Sequence, residues 1–268
     1  MEFDYSRPKV NPAFRSVFDL KQVLQDFESA RSIPQAISED NLKQRVSAPD
    51  WIDLNLARRG QKFARGNILA ISISHSYGLT TMPHPDLVNV LLFTGRSSSP
   101  ESAAKRYYST TTEILSCKIS REGINLNSRD YSAYTPIAAW PSFHKDLEES
   151  NIPLCQRRIP PTFGESKDFI PFNQHALALT QFSFVGYPIL FPERFGIFRP
   201  SEDDLWAFNH FWAILGYTLG LEDKYNIALQ PDLKSVREVY LEIFERYTIA
   251  AGFHWWPGAV CLVDSIFQ

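Results

Sequence analysis

Apolar residues recur at helical spacing along most of this chain, and that period limits the fold more than any motif does. Strand-like alternation is weak throughout. Residues 14–30 place Phe14, Val17, Phe18, Leu20, Val23, Leu24 and Phe27 on one broad face. Residues 51–77 predict a second helix, opened by Asp50 or Ser47, and the run Met82, Pro83, His84, Pro85 breaks the pattern. A short apolar helix over 86–93 ends at Thr94 and Gly95. Ser99, Pro100 and Glu101 mark another start, since serine caps, proline suits the first turn and glutamate complements the positive end of the helix dipole. That helix is expected to run to about residue 116. Further helices are expected over 138–149, with Pro141 in or near the first turn, then 174–191, 201–220 and 232–251. Ser201 to Asp204 forms a capping box ahead of the third of these. The polar, proline-rich stretch 151–171 reads as an ordered functional loop. Roughly seven or eight helices with short links predict an all-α, single-domain helical bundle.

A chain of 268 residues with 44% apolar content can bury a sizeable core. Its net charge is -3, from 27 basic and 30 acidic residues, and no basic stripe is present, which argues against nucleic acid as a partner. The three cysteines, Cys117, Cys155 and Cys261, make neither a disulfide framework nor a zinc spacing, so they read as free thiols in a reducing compartment. The N-terminus has no basic region followed by an apolar stretch, and no run reaches the ~18 apolar residues of a spanning helix. The expectation is an intracellular protein, cytoplasmic or peripheral to a membrane. The apolar stretch before Ile266, Phe267 and Gln268 leaves open a membrane-facing segment beyond the end, and membrane association with it.

No P-loop, dinucleotide-binding glycine fingerprint, HExxH or Gly-x-Ser-x-Gly is present, so chemistry must come from lone polar residues on helices. Arg106 and Thr110, four apart, share one helix face. Either that face is solvated, or the arginine is buried against an anion, because a buried guanidinium without one is costly. The six histidines match no zinc template, although a single imidazole is enough to hold a haem iron. His144 follows Trp140, Pro141, Ser142 and Phe143, and taken alone it reads as an ordinary surface residue; His175 and His210 read as satisfied structural histidines. Asn173, Gln174, Thr180 and Gln181 sit in an otherwise greasy helix, where they either lock it to its neighbours or line a pocket. Gly186 and Gly216 permit close helix approach. Residues 208–223 read as a core helix ending at Gly220.

Three blocks of residues, in order, go further together than any of them alone. The first is Gly60, Gln61, Lys62 and Phe63 with Asn67, Gly78 and Leu79, then residues 91–94 and Lys105, Arg106, Tyr107, Ser109 and Thr110. The second is Asn173 and Gln174, residues 178–182, and Phe184, Val185 and Gly186. The third is His210, Phe211 and Trp212 with Gly216, Tyr217, Leu219, Gly220, Glu222, Asp223 and Asn226. Together they resemble the catalytic domain of mpaB-type oxygenases and latex-clearing proteins (rubber oxygenases), in particular its arthropod branch, over most of the chain from about Trp51 to Tyr225.

The resemblance implies an all-α fold, with residues 49–268 as the catalytic domain and 1–48 as an N-terminal helical extension. It implies a haem b cofactor with its iron, and a hydrophobic substrate, isoprenoid or lipid-like, consumed with dioxygen. Arg106 and Thr110 match the family's arginine and threonine beside the haem, and His144 is the implied axial ligand. The chain differs from the usual family residues at Pro141, three residues before His144, at Glu113 in place of a histidine, at or beside His175 in place of an acidic residue, and at Ala213 in place of an arginine. These differences point to an alternative, a catalytically inactive helical relative that binds a ligand or partner.

Overall fold

The computed structural model describes residues 18–33, 49–81, 99, 101–102, 105 and 173–249. Among these residues the regular structure is helical and no strand forms, in agreement with an all-α fold. Six α-helices are present: α1 (Leu20–Ser29), α2 (Leu54–Gly66), α3 (Ile68–Thr81), α4 (Gln174–Leu190), α5 (Glu202–Thr218) and α6 (Leu233–Ile243). Short 3-10 turns follow α1 (Ala30–Ser32) and α4 (Pro192–Phe195), and α6 continues into a π-helical turn, Phe244–Ile249. No described helix is long and apolar enough to cross a membrane. The expected helices over 86–93 and 138–149 and the loop 151–171 lie outside the described residues.

Five of the six starts follow from a short polar side chain that accepts a hydrogen bond from the first turn. Asp19 accepts from Gln22 N–H, Asp53 from Asn55 and Leu56, Asn173 from Ala176, Ser201 from Asp204 and Asp232 from Ser235. Ser99 also behaves as a cap, its hydroxyl accepting from Ser102 N–H at 3.3 Å. The end of α5 is a Schellman motif: Gly220 takes a left-handed φ of 92°, Leu221 N–H bonds to Gly216 C=O, and Gly220 N–H bonds to Tyr217 C=O.

The single helix expected over 51–77 is two. Its start moves to Asp53 because the residues before it are held elsewhere: Trp51 Nε1 donates to Asp223 Oδ2 at 3.0 Å, and Ile52 N–H closes a turn on Pro49 C=O. The break falls at Asn67, with φ -121° and ψ 29°, whose side chain donates to Phe63 C=O. The last helix also differs from a uniform 232–251 run, being α-helical only to Ile243 before the π turn.

The core is built around α4, which is apolar nearly all round and is buried along most of its length. Phe182, Phe208, Phe211 and Tyr240 are fully or almost fully enclosed; burying a side chain of this kind stabilises by about 1.5–3 kcal/mol. Two crossings are close enough to demand glycine. A Cβ on Gly60 of α2 would stand 2.2 Å from Ala207 C=O of α5, and one on Gly78 of α3 would stand 1.9 Å from Ser183 C=O of α4. Gly216 of α5 likewise makes room for the Gln181 amide, as expected. Gly186 differs from that expectation, since the space it leaves is taken by the ring of Phe182 in its own helix. Around the rim, the acidic start of α5 is gripped from both sides. Arg59 pairs with Asp203 and Asp204, and Arg237 pairs in a two-pronged fashion with Glu202 at 2.7 and 2.9 Å.

Candidate functional site

The three residues implied as the site, Arg106, Thr110 and His144, lie outside the described residues. Ser99 caps a turn in which Glu101, Ser102 and Lys105 are helical. What the described core offers is the set of polar side chains that sequence reasoning left between two roles.

Those on α4 lock helices together. Gln174 donates from Nε2 to Gly220 C=O and accepts from Glu222 N–H, both at 3.0 Å. Gln181 donates to Trp212 C=O and to Asn226 Oδ1, each at 2.9 Å, while Asn226 donates to Ala213 C=O. Asn209 extends the pattern, donating to Ala228 C=O and accepting from the Tyr240 hydroxyl at 2.7 Å. These amides bond the carbonyls of Gly220 and Ala228 beyond the end of α5 and add a second bond to those of Trp212 and Ala213 inside it. Thr180 bonds back to Ala176 C=O in its own helix.

The buried histidines are also engaged. His210 Nε2 accepts the Asp53 N–H at 3.1 Å, and its ring meets Trp51 edge to face. Burial pushes its pKa down to about 4, so it is neutral near neutral pH. His75 lies edge-on to Phe184 and Trp212, with centroids 5.0 and 5.6 Å away. His175 packs on Phe27 at 4.5 Å and shares a hydrogen bond of 3.1 Å between its Nε2 and the Tyr247 hydroxyl. His210 therefore has the structural role expected of it, and His175 is held through its Nε2 alone among the described hydrogen bonds.

His175 belongs to a cluster of titratable groups: Glu28 of α1, Arg31 after it, Tyr247 of the π turn and His175 of α4. The Tyr247 hydroxyl donates to Glu28 Oε1 and accepts from Arg31 Nη2, and Arg31 Nε pairs with Glu28 Oε2 at 3.3 Å. Burial raises the Tyr247 pKa, and the bond to Glu28 acts in the same direction, so the phenol stays protonated. The cluster is an ion pair joined to an imidazole through a protonated phenol. It ties α1, α4 and α6 together. Tyr247→Phe is expected to lower stability by about 1 kcal/mol, read as a shift in urea midpoint, because Glu28 keeps Arg31 and solvent.

A histidine-ligated haem requires an imidazole turned into a hollow wide enough for a porphyrin. Among the described residues no group of three or more His, Cys, Asp or Glu side chains is placed to hold a metal ion. A cavity of about 270 Å³ opens between α1 and residues 223–231, lined by Phe18, Val23, Phe27, Tyr225, Ile227 and Leu229. That is below the roughly 300–1,000 Å³ of ordinary small-molecule sites. With His210 and His175 each bonded through Nε2 and His75 enclosed by aromatic rings, the described residues do not fit haem. The holders that the resemblance implies, His144, Arg106 and Thr110, lie outside the described residues.

Sequence reasoning missed the partners of Gly60 and Gly78 and the Glu28–Tyr247 link. Glycine within a helical run was the visible signal for the first two, but its opposing carbonyl is not legible locally. No family model, no curated protein and no solved structure matches this chain.

Proposed function

We propose that this chain is a haem b-dependent oxygenase of the rubber oxygenase type, acting on a hydrophobic substrate with dioxygen. One observation supports the reading: residues of the three blocks are in mutual contact rather than scattered. Gly60 of the first block lies against Phe211 of the third, and Gln174 and Gln181 of the second bond to Gly220, Glu222, Trp212 and Asn226 of the third. The shared residues are thus the ones that set how the helices cross.

In this reading the His144 imidazole binds the iron. Arg106 supplies a fixed positive charge for a propionate or for developing negative charge, and Thr110 a hydrogen-bond donor on the same helix face. When bound, haem supplies the activation of dioxygen. The experiment is oxygen uptake by haem-loaded protein given an isoprenoid oligomer, with new carbonyl ends counted in the product. Thr110→Val is expected to lower the rate about 100-fold, the effect of losing one positioned donor.

A second reading, a non-catalytic relative, is favoured by Ala213. Where an arginine is usual in the family, this side chain is fully buried in a small cluster with Trp51, Ile214 and Ala228, and its carbonyl is bonded to Asn226. A guanidinium has no room there. Folded, haem-loaded protein that takes up no oxygen with any isoprenoid substrate would support this reading over the first.

A further inference from the structure

Along α2 and α3 the buried positions keep one helical period: Ala57, Gly60 and Ala64, then Ile71, Ser74 and Gly78. Asn67 does not disturb it, because its N–H still bonds to Phe63 C=O and its C=O accepts from Ile71 N–H. The opposite positions therefore also form one line, Arg58, Lys62, Arg65, Leu69 and Ile73, and all five are exposed. That line changes character halfway. Its first part is cationic, and its second part holds Leu69 at 72% and Ile73 at 53% exposure, on a helix without Asp, Glu, Lys or Arg. Tyr77 is no part of it, since its ring turns onto Tyr187 and Phe195. The carboxylates at the start of α5, Asp203 and Asp204, are taken up by Arg59, one position round the helix. Arg58 and Lys62 form no salt bridge among the described residues; Arg58 reaches the Asn55 amide oxygen at 3.4 Å.

We propose that this line is a docking face for an anionic lipid surface. Leu69 and Ile73 enter the boundary between headgroups and acyl chains, and Arg58, Lys62 and Arg65 lie over the anionic headgroups. Cations beside bare aliphatic side chains are the composition of helices that lie in the plane of a membrane interface. With 14 residues α3 is too short to span a bilayer, so the contact is peripheral. The aliphatic pair stands out on a helix ridge, and fluid lipid needs no matching hollow to receive it. Nucleic acid fits less well, because three cations fall short of the roughly 6–10 phosphate contacts of such partners, and a phosphate backbone offers nothing to the aliphatic half. The whole chain has a net charge of -3, so attraction to an anionic surface has to come from this face and is screened by salt. The inference goes beyond the haem reading and does not depend on it.

The test is co-sedimentation of the full-length chain with vesicles of phosphatidylserine and phosphatidylcholine, and with phosphatidylcholine alone. Binding is expected to the mixed vesicles at low salt, and to weaken on phosphatidylcholine alone and at high salt. Arg58→Gln combined with Lys62→Gln is expected to lower the partition coefficient about 30-fold, the effect of two cations at an anionic surface. Leu69→Ser combined with Ile73→Ser is expected to lower it at least about tenfold. Leu241→Ser, at an exposed position of α6, is the control and is expected to leave it unchanged. All these positions are exposed, so the helical circular dichroism of the variants should match that of the wild type. Absence of binding to the mixed vesicles, equal binding to phosphatidylcholine alone, or binding that survives both double substitutions overturns the proposal. So does a lipid-free dimer that Leu69→Ser with Ile73→Ser converts to monomer, which assigns the face to a second copy.

Discussion

Gly78→Ala is expected to destabilise the fold by on the order of 3 kcal/mol or more, close to the whole stability of a marginal domain. The added methyl would stand 1.9 Å from Ser183 C=O and 2.8 Å from its carbonyl carbon, so a backbone, not a flexible side chain, is in the way. Relief requires α3 and α4 to move apart, and that opens the contacts of Ile71 and His75 with the core on the same face. Gly66→Ala is the internal control. It sits in the last turn of α2 with nothing within 4 Å of its Cβ position, so alanine there is expected to be neutral or to stabilise by up to about 1 kcal/mol. Urea midpoints of the two variants should therefore move in opposite directions or differ widely. Equal small shifts would mean that the α3–α4 crossing is looser than the structure has it.

The second large effect is acid sensitivity from one imidazole. His210 is buried and neutral, accepting the Asp53 N–H, and burial holds its pKa near 4 against about 6.5 in an unfolded chain. Between those values the unfolded chain binds a proton that the folded chain refuses. The stability contributed is fully present above about pH 6.5, declines as pH falls, and is lost by about pH 4, a total of roughly 3 kcal/mol. His210→Gln retains an acceptor but does not titrate. Its unfolding free energy, followed from pH 7 to pH 4, is expected to fall less steeply than that of the wild type by about one proton. Parallel pH profiles would place the imidazole in water.

Local chemistry explains which features were legible beforehand. Helix starts at residues 201 and 232 and the stop at Gly220 are each encoded within a few residues, by caps and by a left-handed glycine. The amides of α4 could be singled out because an amide in an apolar helix must find a partner, and the choice between lock and pocket was decided by Gly220, Trp212 and Asn226. Other features depend on residues distant in sequence. Asp53 rather than Asp50 opens α2 because Asp223 and His210 hold residues 51–53 from across the fold. The crossing at Gly60 is set by Ala207 and the link to Glu28 by Tyr247, and no local period carries either. Of the proposed site itself, Arg106, Thr110 and His144 lie outside the described residues, so their roles rest on the resemblance. In the described core, Ala213 and the position at or beside His175 are where the chain departs from that resemblance.

The most direct measurement is the visible absorption spectrum of full-length protein expressed with added haem, set beside that of His144→Ala. An oxygenase of the proposed kind is expected to show an intense Soret band at one haem per chain, and the variant is expected to lose it while keeping its helical circular dichroism. A folded protein that remains colourless, or a Soret band that survives His144→Ala unchanged, would contradict the assignment of iron to that imidazole.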